Sequence, residues 1–111
     1  MGKPVVGEVV VFPFPQTNLQ SGKRRPALVV ADLKGDDLIL CQITSQARDD
    51  AYSVQLDDSD FTAGSLNQSS RIRPNRLFTA DSGIVVYRAG HVSVAKVDET
   101  RERLIQILSE N

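Results

Sequence analysis

The chain has 111 residues, a size that suits one hydrophobic core, and we expect residues 1–111 to form a single domain. Hydrophobic residues make up 41% and charged residues 24% of the sequence, which disfavours bulk disorder and fibrous repeats. The formal net charge of -1 provides no global field that attracts nucleic acid, so any such binding must come from local clusters of charge.

The apolar stretches are short and give no sign of a membrane helix or a secretory signal. "ALVV" and "LILC" fall far below the roughly 20 residues that a spanning helix needs. The amino-terminal stretch meets Glu8 within its apolar run, which is atypical of a signal peptide. The single Cys41 has no partner for an internal disulfide. We therefore expect a cytoplasmic protein without membrane contact, in which Cys41 is a buried small hydrophobe.

Positive and negative charges are unevenly distributed along the chain. Two short clusters hold six of the 13 basic residues: Lys23, Arg24, Arg25, and Arg71, Arg73, Arg76. Residues 49–60 hold five acidic and no basic residues: Asp49, Asp50, Asp57, Asp58 and Asp60. The basic clusters are therefore the candidates for contact with a polyanion.

Few residue combinations favour metal or cofactor chemistry. Adjacent aspartates are possible Mg²⁺ ligands in a nuclease, but beside a short strand they are more typical of solvated turns. The chain has one histidine, His91, and one cysteine, which disfavours a zinc site and rules out a histidine acid–base pair. "SGK" at residues 21–23 lacks the upstream glycine of a phosphate-binding loop. We predict neither a metal nor a cofactor.

The first half of the sequence predicts three strands. "VVGEVVVFPF" (5–14) is β-branched and aromatic, as first strands of small sheets often are. The polar stretch Pro15 to Lys23 is predicted to be a long exposed loop. "PALVVA" (26–31) and "LILCQIT" (38–44) are predicted to pair as an antiparallel hairpin across the short turn at residues 32–37.

The second half predicts further short strands. "YSVQL" (52–56) alternates apolar residues at period two, whereas residues 57–64 are expected to be irregular. "SSRIRPNRLFTA" (69–80) is predicted to form two strands broken at Pro74. Residues 81–91 are ambiguous between strand and turn.

The chain is predicted to end in an amphipathic helix over residues 94–110, with Ser93 as its N-cap. Its buried face is predicted to contain Val94, Val97, Leu104, Ile105 and Leu108. Five to seven short strands followed by one helix predict a mainly β fold. We expect a small curved barrel or half-open sheet with the helix packed against it.

The Arg25–Pro26 step is a candidate phosphate site. Proline restricts the preceding residue to extended geometry, which holds the Arg25 guanidinium at the mouth of the second strand. The planar fork of a guanidinium matches phosphate oxygens. In the predicted hairpin Thr44, at the end of the third strand, is a neighbour of Arg25. A surface charge that ends one strand and a hydroxyl that caps another are the simpler interpretations of this pair.

Four segments in this order, "GEVVVFPF", "GKRRPALVV", "LILCQITS" and "SSRIRPNRLFTAD", resemble the PemK/MazF family of toxin endoribonucleases from toxin–antitoxin pairs. The resemblance covers roughly residues 5 to 110, and its specific elements are Arg25–Pro26 and Ile43 to Ser45. It implies an SH3-like barrel of the PemK, MazF and CcdB type and a homodimer. It also implies metal-independent cleavage of single-stranded RNA at short sequences.

The resemblance implies roles for individual residues. Arg25 and Thr44 correspond to the catalytic pair of the family, with Ser45 adjacent. The loop Pro15 to Lys23 corresponds to the one that closes over substrate. Beside this pair, Lys23 and Arg24 are expected to hold neighbouring phosphates by charge neutralisation.

A second basic patch and the antitoxin are expected to share the same groove. Strand alternation sends Arg71 and Arg73 to one face and Ile72 to the other, and we predict that the arginines extend the RNA groove. A solvated sheet edge is the alternative. A cognate antitoxin is expected to compete for this groove through a flexible acidic segment. The aspartates of residues 49–60 are expected to lie outside it, because they would repel RNA and an acidic peptide.

Two other functions stay open at this point. The chain is either a non-catalytic, CcdB-like toxin or protein-binding module that acts on a protein target, or an inactive relative whose surface serves only its partner. The Arg25–Thr44 pair favours cleavage, because a toxin that binds a protein has no need for it.

Overall fold

The computed structural model describes residues 2–14, 23–46 and 50–110. These residues form seven strands and a carboxy-terminal helix: β1 (Glu8–Phe14), β2 (Lys23–Asp32), β3 (Asp37–Thr44), β4 (Val54–Leu56), β5 (Phe61–Gly64), β6 (Ser70–Asp81), β7 (Tyr87–Val92) and α1 (Val94–Ser109). The strands are antiparallel, curl into a half-barrel and follow the order β4-β6-β3-β2-β1-β7-β5. The predicted mainly β class with a terminal helix is confirmed. The predicted loop lies outside the described residues, except for Lys23.

The predicted hairpin of β2 and β3 is present. Ala27 pairs with Gln42 and Leu28 with Cys41, and the connection between the strands turns at Gly35. Gly35 has a φ of 77°, a conformation that glycine adopts without steric cost. The short connection fixes the register, so the far ends of the two strands lie side by side.

Strand β6 corrects the prediction of two strands broken at Pro74. It runs unbroken for 12 residues, but Cys41 pairs with Leu77 while the next residue, Gln42, pairs with Arg73. Residues 74–76 therefore bulge out of the ladder. Because proline has no N–H to donate, Pro74 interrupts the pairing with β3 without ending the strand.

Strand β5 lies in a stretch that was expected to be irregular. It pairs with β7, and Gly64 lies opposite Gly90. A Cβ atom on Gly90 would come within 2.5 Å of the Ala63 carbonyl oxygen. The two strands therefore approach so closely that glycine is required at this contact.

The two faces of the sheet carry different apolar clusters. The first face holds the larger cluster and packs against α1: Val9, Leu28, Val30, Cys41, Ile43, Val54, Leu56, Ile72, Val92 and Val97. The second face holds a smaller cluster, bordered by Phe78, Ala80 and Val85: Val10, Phe12, Ala27, Val29, Leu38 and Leu40. Consecutive strand residues alternate between the clusters, as pleating requires.

Helix α1 begins where it was predicted to begin, but it buries a different face. The Ser93 hydroxyl accepts from the Lys96 N–H at 3.2 Å, which confirms the N-cap. Val94 and Leu108 of the predicted face are 74% and 71% exposed. The helix instead packs through Val97, Lys96 and Thr100.

Local hydrogen bonds explain why polar residues occupy the buried face of α1. The Lys96 ammonium donates to the Gln55 carbonyl at 2.7 Å and to the Glu99 carboxylate at 2.9 Å. The Thr100 hydroxyl donates to the Lys96 carbonyl at 2.9 Å. Burial therefore leaves these polar groups satisfied, and hydropathy alone misjudges the orientation of the helix.

Candidate nucleic-acid interface

A row of polar side chains crosses four strands on the second face of the sheet. In the printed register Thr44 of β3 pairs with Arg71 of β6, and Arg71 pairs with Gln55 of β4. Ala27 pairs with Gln42, so two residues further along the same register Arg25 lies opposite Thr44. We call Arg25, Thr44, Arg71 and Gln55 the polar row. At about 4.8 Å per strand it is roughly 14 Å long.

The apolar residues between these positions show which face the polar row occupies. Ile43 and Ile72, the sequence neighbours of Thr44 and Arg71, are buried in the cluster under α1. The polar row therefore lies on the opposite face, beyond the end of the smaller cluster. The predicted separation of Arg71 and Ile72 onto opposite faces is confirmed.

The two guanidinium groups of the polar row are free of internal partners. Neither Arg25 nor Arg71 makes a hydrogen bond or ion pair with the described residues. Arg101, by contrast, donates twice to the Val30 carbonyl, at 2.8 and 3.1 Å. The charge of Arg25 and Arg71 is therefore available to a bound anion.

The Thr44 hydroxyl has a structural contact and still keeps its proton. Its Oγ1 accepts from the Gln46 N–H at 3.1 Å, so the hydroxyl caps the end of β3. A hydroxyl both accepts and donates. Thr44 can therefore hold this turn and donate its proton to a phosphate oxygen. Ser45, the adjacent predicted residue, is exposed.

Two predicted substrate-binding residues are placed less favourably. Alternation along β2 sends Arg24 to the face opposite Arg25, and the structure does not bring its side chain into the polar row. Lys23 begins β2, opposite Phe14 in register with β1. Both lie within two residues of Arg25 along the chain, and only Arg25 shares a face with Thr44.

Arg73 lies on the same face as Arg71 but already has an acidic partner. Its guanidinium contacts the Asp50 carboxylate at 3.4 Å, and both side chains are largely buried. The expectation that the acidic segment lies apart from the basic patch is wrong for Asp50. The ion pair neutralises Arg73, because the chain returns from β3 to β4 beside β6. Asp49 lies outside the described residues.

Gln55 is a member of the site that the sequence analysis did not single out. Its side-chain amide donates to Asp57 at 3.0 Å and to Ser69 at 2.9 Å, and Ser69 also donates to Asp57 at 3.0 Å. These hydrogen bonds hold the pKa of Asp57 below its ordinary value. The period-two alternation of "YSVQL" was the available signal, since it places Gln55 opposite the buried Val54 and Leu56.

A cleft of about 140 Å³ lies at the Thr44–Gln55 end of the polar row. It is lined by Ser45, Gln46, Gln55, Ser69, Ser70 and Arg71. All six side chains are polar, and they come from three separate segments of the chain. The cleft therefore depends on the sheet register and could not be located from local sequence.

Other candidate groups stay separate from this surface. Cys41 is buried, and burial raises the pKa of its thiol to about 12, which confirms its expected role as a small hydrophobe. Over residues 2–14, 23–46 and 50–110, no group of three or more His, Cys, Asp or Glu side chains is arranged to hold a metal ion. Within the same ranges no helix combines the length and apolar character needed to cross a membrane.

Comparison with known proteins assigns a family and a fold. Residues 6–108 match the family model of the PemK-like, MazF-like toxin of type II toxin–antitoxin systems. MazF from Deinococcus radiodurans, in crystal form I, superposes with a TM-score of 0.77 at 23% identity, over 97% of this chain and 98% of that chain. No curated protein matches the sequence.

Two of the similar structures are complexes. The MazE–MazF complex from Deinococcus radiodurans, in form II, gives a TM-score of 0.75 at 21% identity, over 98% of both chains. A mycobacterial endoribonuclease in complex with its cognate antitoxin gives 0.71 at 16% identity, over 97% of this chain and 95% of that chain. At these identities the likeness shows a shared fold.

Proposed function

The chain belongs to the family of PemK-like, MazF-like toxins of type II toxin–antitoxin systems, and we propose that it is a sequence-specific, metal-independent endoribonuclease that cleaves single-stranded RNA in the cytoplasm. The observation that carries this proposal is the polar row, in which the unpaired Arg25 and Arg71 guanidiniums flank the Thr44 hydroxyl. Two cations on either side of a hydroxyl donor suit a phosphodiester group.

The reaction we propose uses a nucleophile that belongs to the substrate. The 2′-oxygen of the RNA attacks the adjacent phosphorus, and the P–O5′ bond breaks. The products are a 2′,3′-cyclic phosphate and a 5′-hydroxyl. One proton leaves the 2′-oxygen and one joins the 5′-oxygen, so no water or oxidant is consumed. The protein has to supply only orientation, charge stabilisation and proton transfer.

Arg25 is proposed to stabilise the charge that develops on the phosphate oxygens in the transition state. Its exposed side chain has no internal partner, and Pro26 restricts the backbone that carries it. A guanidinium stays protonated near neutral pH, so electrostatic stabilisation suits it better than the role of general base. A preorganised donor of this kind contributes about 100-fold to 1000-fold in rate.

Thr44 is proposed to orient the same phosphate. The Gln46 N–H fixes the position of its oxygen, and the hydroxyl proton is available for a phosphate oxygen. Arg71, directly opposite Thr44 on β6, is proposed to hold the phosphate or its neighbour. Ser45, Lys23 and Arg24 are proposed as peripheral contacts to the RNA backbone.

We propose that a cognate antitoxin inhibits the chain by occupying the polar row. A flexible acidic segment is electrostatically complementary to the unpaired Arg25 and Arg71. Neutral substitution of Lys23 and Arg25 is therefore expected to weaken antitoxin binding and RNA binding together. If RNA and antitoxin bind at once, with neither changing the affinity of the other, the inhibitory surface lies elsewhere.

We propose that the active form is a homodimer. Helix α1 leaves Val94, Ile105 and Leu108 exposed on one stripe, a surface that a second copy would remove from water. Sedimentation of the wild type and of Leu108→Glu tests this. A dimer that Leu108→Glu weakens supports the proposal, and a monomeric wild type at micromolar concentration rejects it.

The cleavage reaction is tested by incubating the purified protein with mixed RNA in excess EDTA and mapping the fragment ends. We expect discrete fragments with 2′,3′-cyclic ends and no cutting of a DNA version of the same sequence, because DNA lacks the 2′-hydroxyl. A metal requirement or equal cutting of DNA would refute the mechanism. Growth arrest without RNA cleavage would favour the alternative, a CcdB-like toxin that acts on a protein target.

A further inference from the structure

The cleft beside the polar row has a composition suited to one flat, polar ligand. Its volume of about 140 Å³ far exceeds what a single water needs. Hydroxyl and amide groups from β4, β6 and the end of β3 line it, and the Arg71 guanidinium borders it. These groups recognise hydrogen-bonding edges rather than bulk apolar surface.

The orientation of the Gln55 amide in this cleft is determined by its neighbours. The ionised Asp57 carboxylate only accepts hydrogen bonds, so the group that faces it must be the Gln55 NH₂. The second amide proton goes to Ser69 Oγ. Both donors are thereby used within the protein. The Gln55 Oε1 atom is left as an acceptor that makes no hydrogen bond with the described residues.

The position of the cleft relates it to the proposed reaction. Gln55 lies two strand positions from Thr44, about 10 Å across the sheet. Ser45, at the mouth of the cleft, directly follows Thr44. A nucleotide whose phosphate rests on Arg25 and Thr44 therefore has a neighbour close to the cleft.

We propose that this cleft is a base-specificity pocket, in which Gln55 Oε1 accepts an N–H from the nucleobase next to the cleaved phosphate. Arg71, at the rim, donates to a carbonyl or ring nitrogen on the same base or to its phosphate. Asp57 and Ser69 act as positioning residues, because they fix the direction of the Gln55 amide. This inference rests on the proposed RNA cleavage and assigns one position of the recognised sequence.

The test compares cleavage of a randomised RNA pool by the wild type, Gln55→Met and Ser69→Ala, with the base at each position read from the fragment ends. Methionine keeps the length of the glutamine but has no amide acceptor. We expect Gln55→Met to lose about tenfold of the preference at one position while the others are kept. Ser69→Ala frees the amide and is expected to weaken the same position less.

Gln106→Met is the matched control, because Gln106 is exposed on α1, across the sheet from the polar row. Its cleavage pattern should equal that of the wild type. If Gln55→Met and Ser69→Ala both cleave with the wild-type pattern, the pocket is not a specificity site, although the proposed function stands. If Gln55→Met does not fold, Ser69→Ala decides. A wild type that fails to cut any RNA overturns the function and the pocket together.

Discussion

The two faces of the sheet use positive charge in opposite ways. On the first face Lys96 and Arg101 of α1 donate to main-chain carbonyls of β4 and β2, and so tie the helix to the sheet. On the second face Arg25 and Arg71 have no such partners among the described residues. A cation whose hydrogen bonds are made internally stabilises the fold, whereas an unpaired one is ready for an external anion.

The comparison also separates two adjacent arginines of a single strand. Arg71 and Arg73 share the second face, yet Asp50 pairs only with Arg73. Position on a face is therefore insufficient to assign an arginine to a binding surface. The presence or absence of an internal carboxylate decides between a structural and a functional role.

The largest effect is expected for Arg25→Ala. Cleavage should fall by at least about 100-fold, since one preorganised donor to the transition state is lost, while the melting temperature stays near that of the wild type. The matched variant is Arg24→Ala, one residue away on the opposite face, which should change the single-turnover rate far less. Near-normal cleavage by a folded Arg25→Ala would sink the assignment.

A smaller loss is expected for Thr44→Val, which keeps the shape of the side chain and removes its hydroxyl. We expect about a tenfold decrease in cleavage, because a single hydrogen bond to a charged phosphate is lost. Thr44→Ser keeps both the donor and the contact to the Gln46 N–H, and should retain most of the rate. Equal loss in the two variants would indicate that packing, rather than the hydroxyl, matters.

Arg71→Ala should weaken RNA binding and flatten its salt dependence. The slope of log K against log salt should change by about 0.7 for one phosphate contact on a single strand. Titrations at several salt concentrations measure this slope. A slope equal to that of the wild type would return Arg71 to the solvated surface.

Arg73→Ala should show the reverse pattern. Removing one partner of the largely buried pair with Asp50 is expected to cost about 1 to 3 kcal/mol in the free energy of unfolding. The salt slope of RNA binding should change much less than in Arg71→Ala. Denaturant unfolding and the same titrations measure the two quantities, and a stable variant with a lost phosphate contact would contradict the structural role of Arg73.

The smallest effect is expected at Cys41. Its thiol is fully buried and its pKa is raised to about 12, so little thiolate is present at neutral pH. Treatment of the native protein with iodoacetamide should leave both its mass and its cleavage rate unchanged. Rapid alkylation under native conditions would show that the first-face core opens readily.

Local patterns were enough to predict β1 to β3, the N-cap at Ser93 and the neighbourhood of Arg25 and Thr44, because a short hairpin connection fixes its own register. Strand β5 depends on the distant glycine contact with β7, which leaves no local signal. The pairing of Asp50 with Arg73 and the cleft around Gln55 likewise depend on residues far apart in sequence. The buried face of α1 was misjudged because Lys96 and Thr100 are buried with their polar groups satisfied.

The claim that RNA binds the polar row is tested most directly by NMR, with an RNA that carries a 2′-deoxy nucleotide at the cleaved position and so cannot react. We predict that the amide signals of residues in the polar row, Thr44, Arg71 and Gln55 among them, shift on titration, while those of α1 stay near their free positions. Shifts confined to α1 and the first face of the sheet, with the polar row unaffected, would contradict the account.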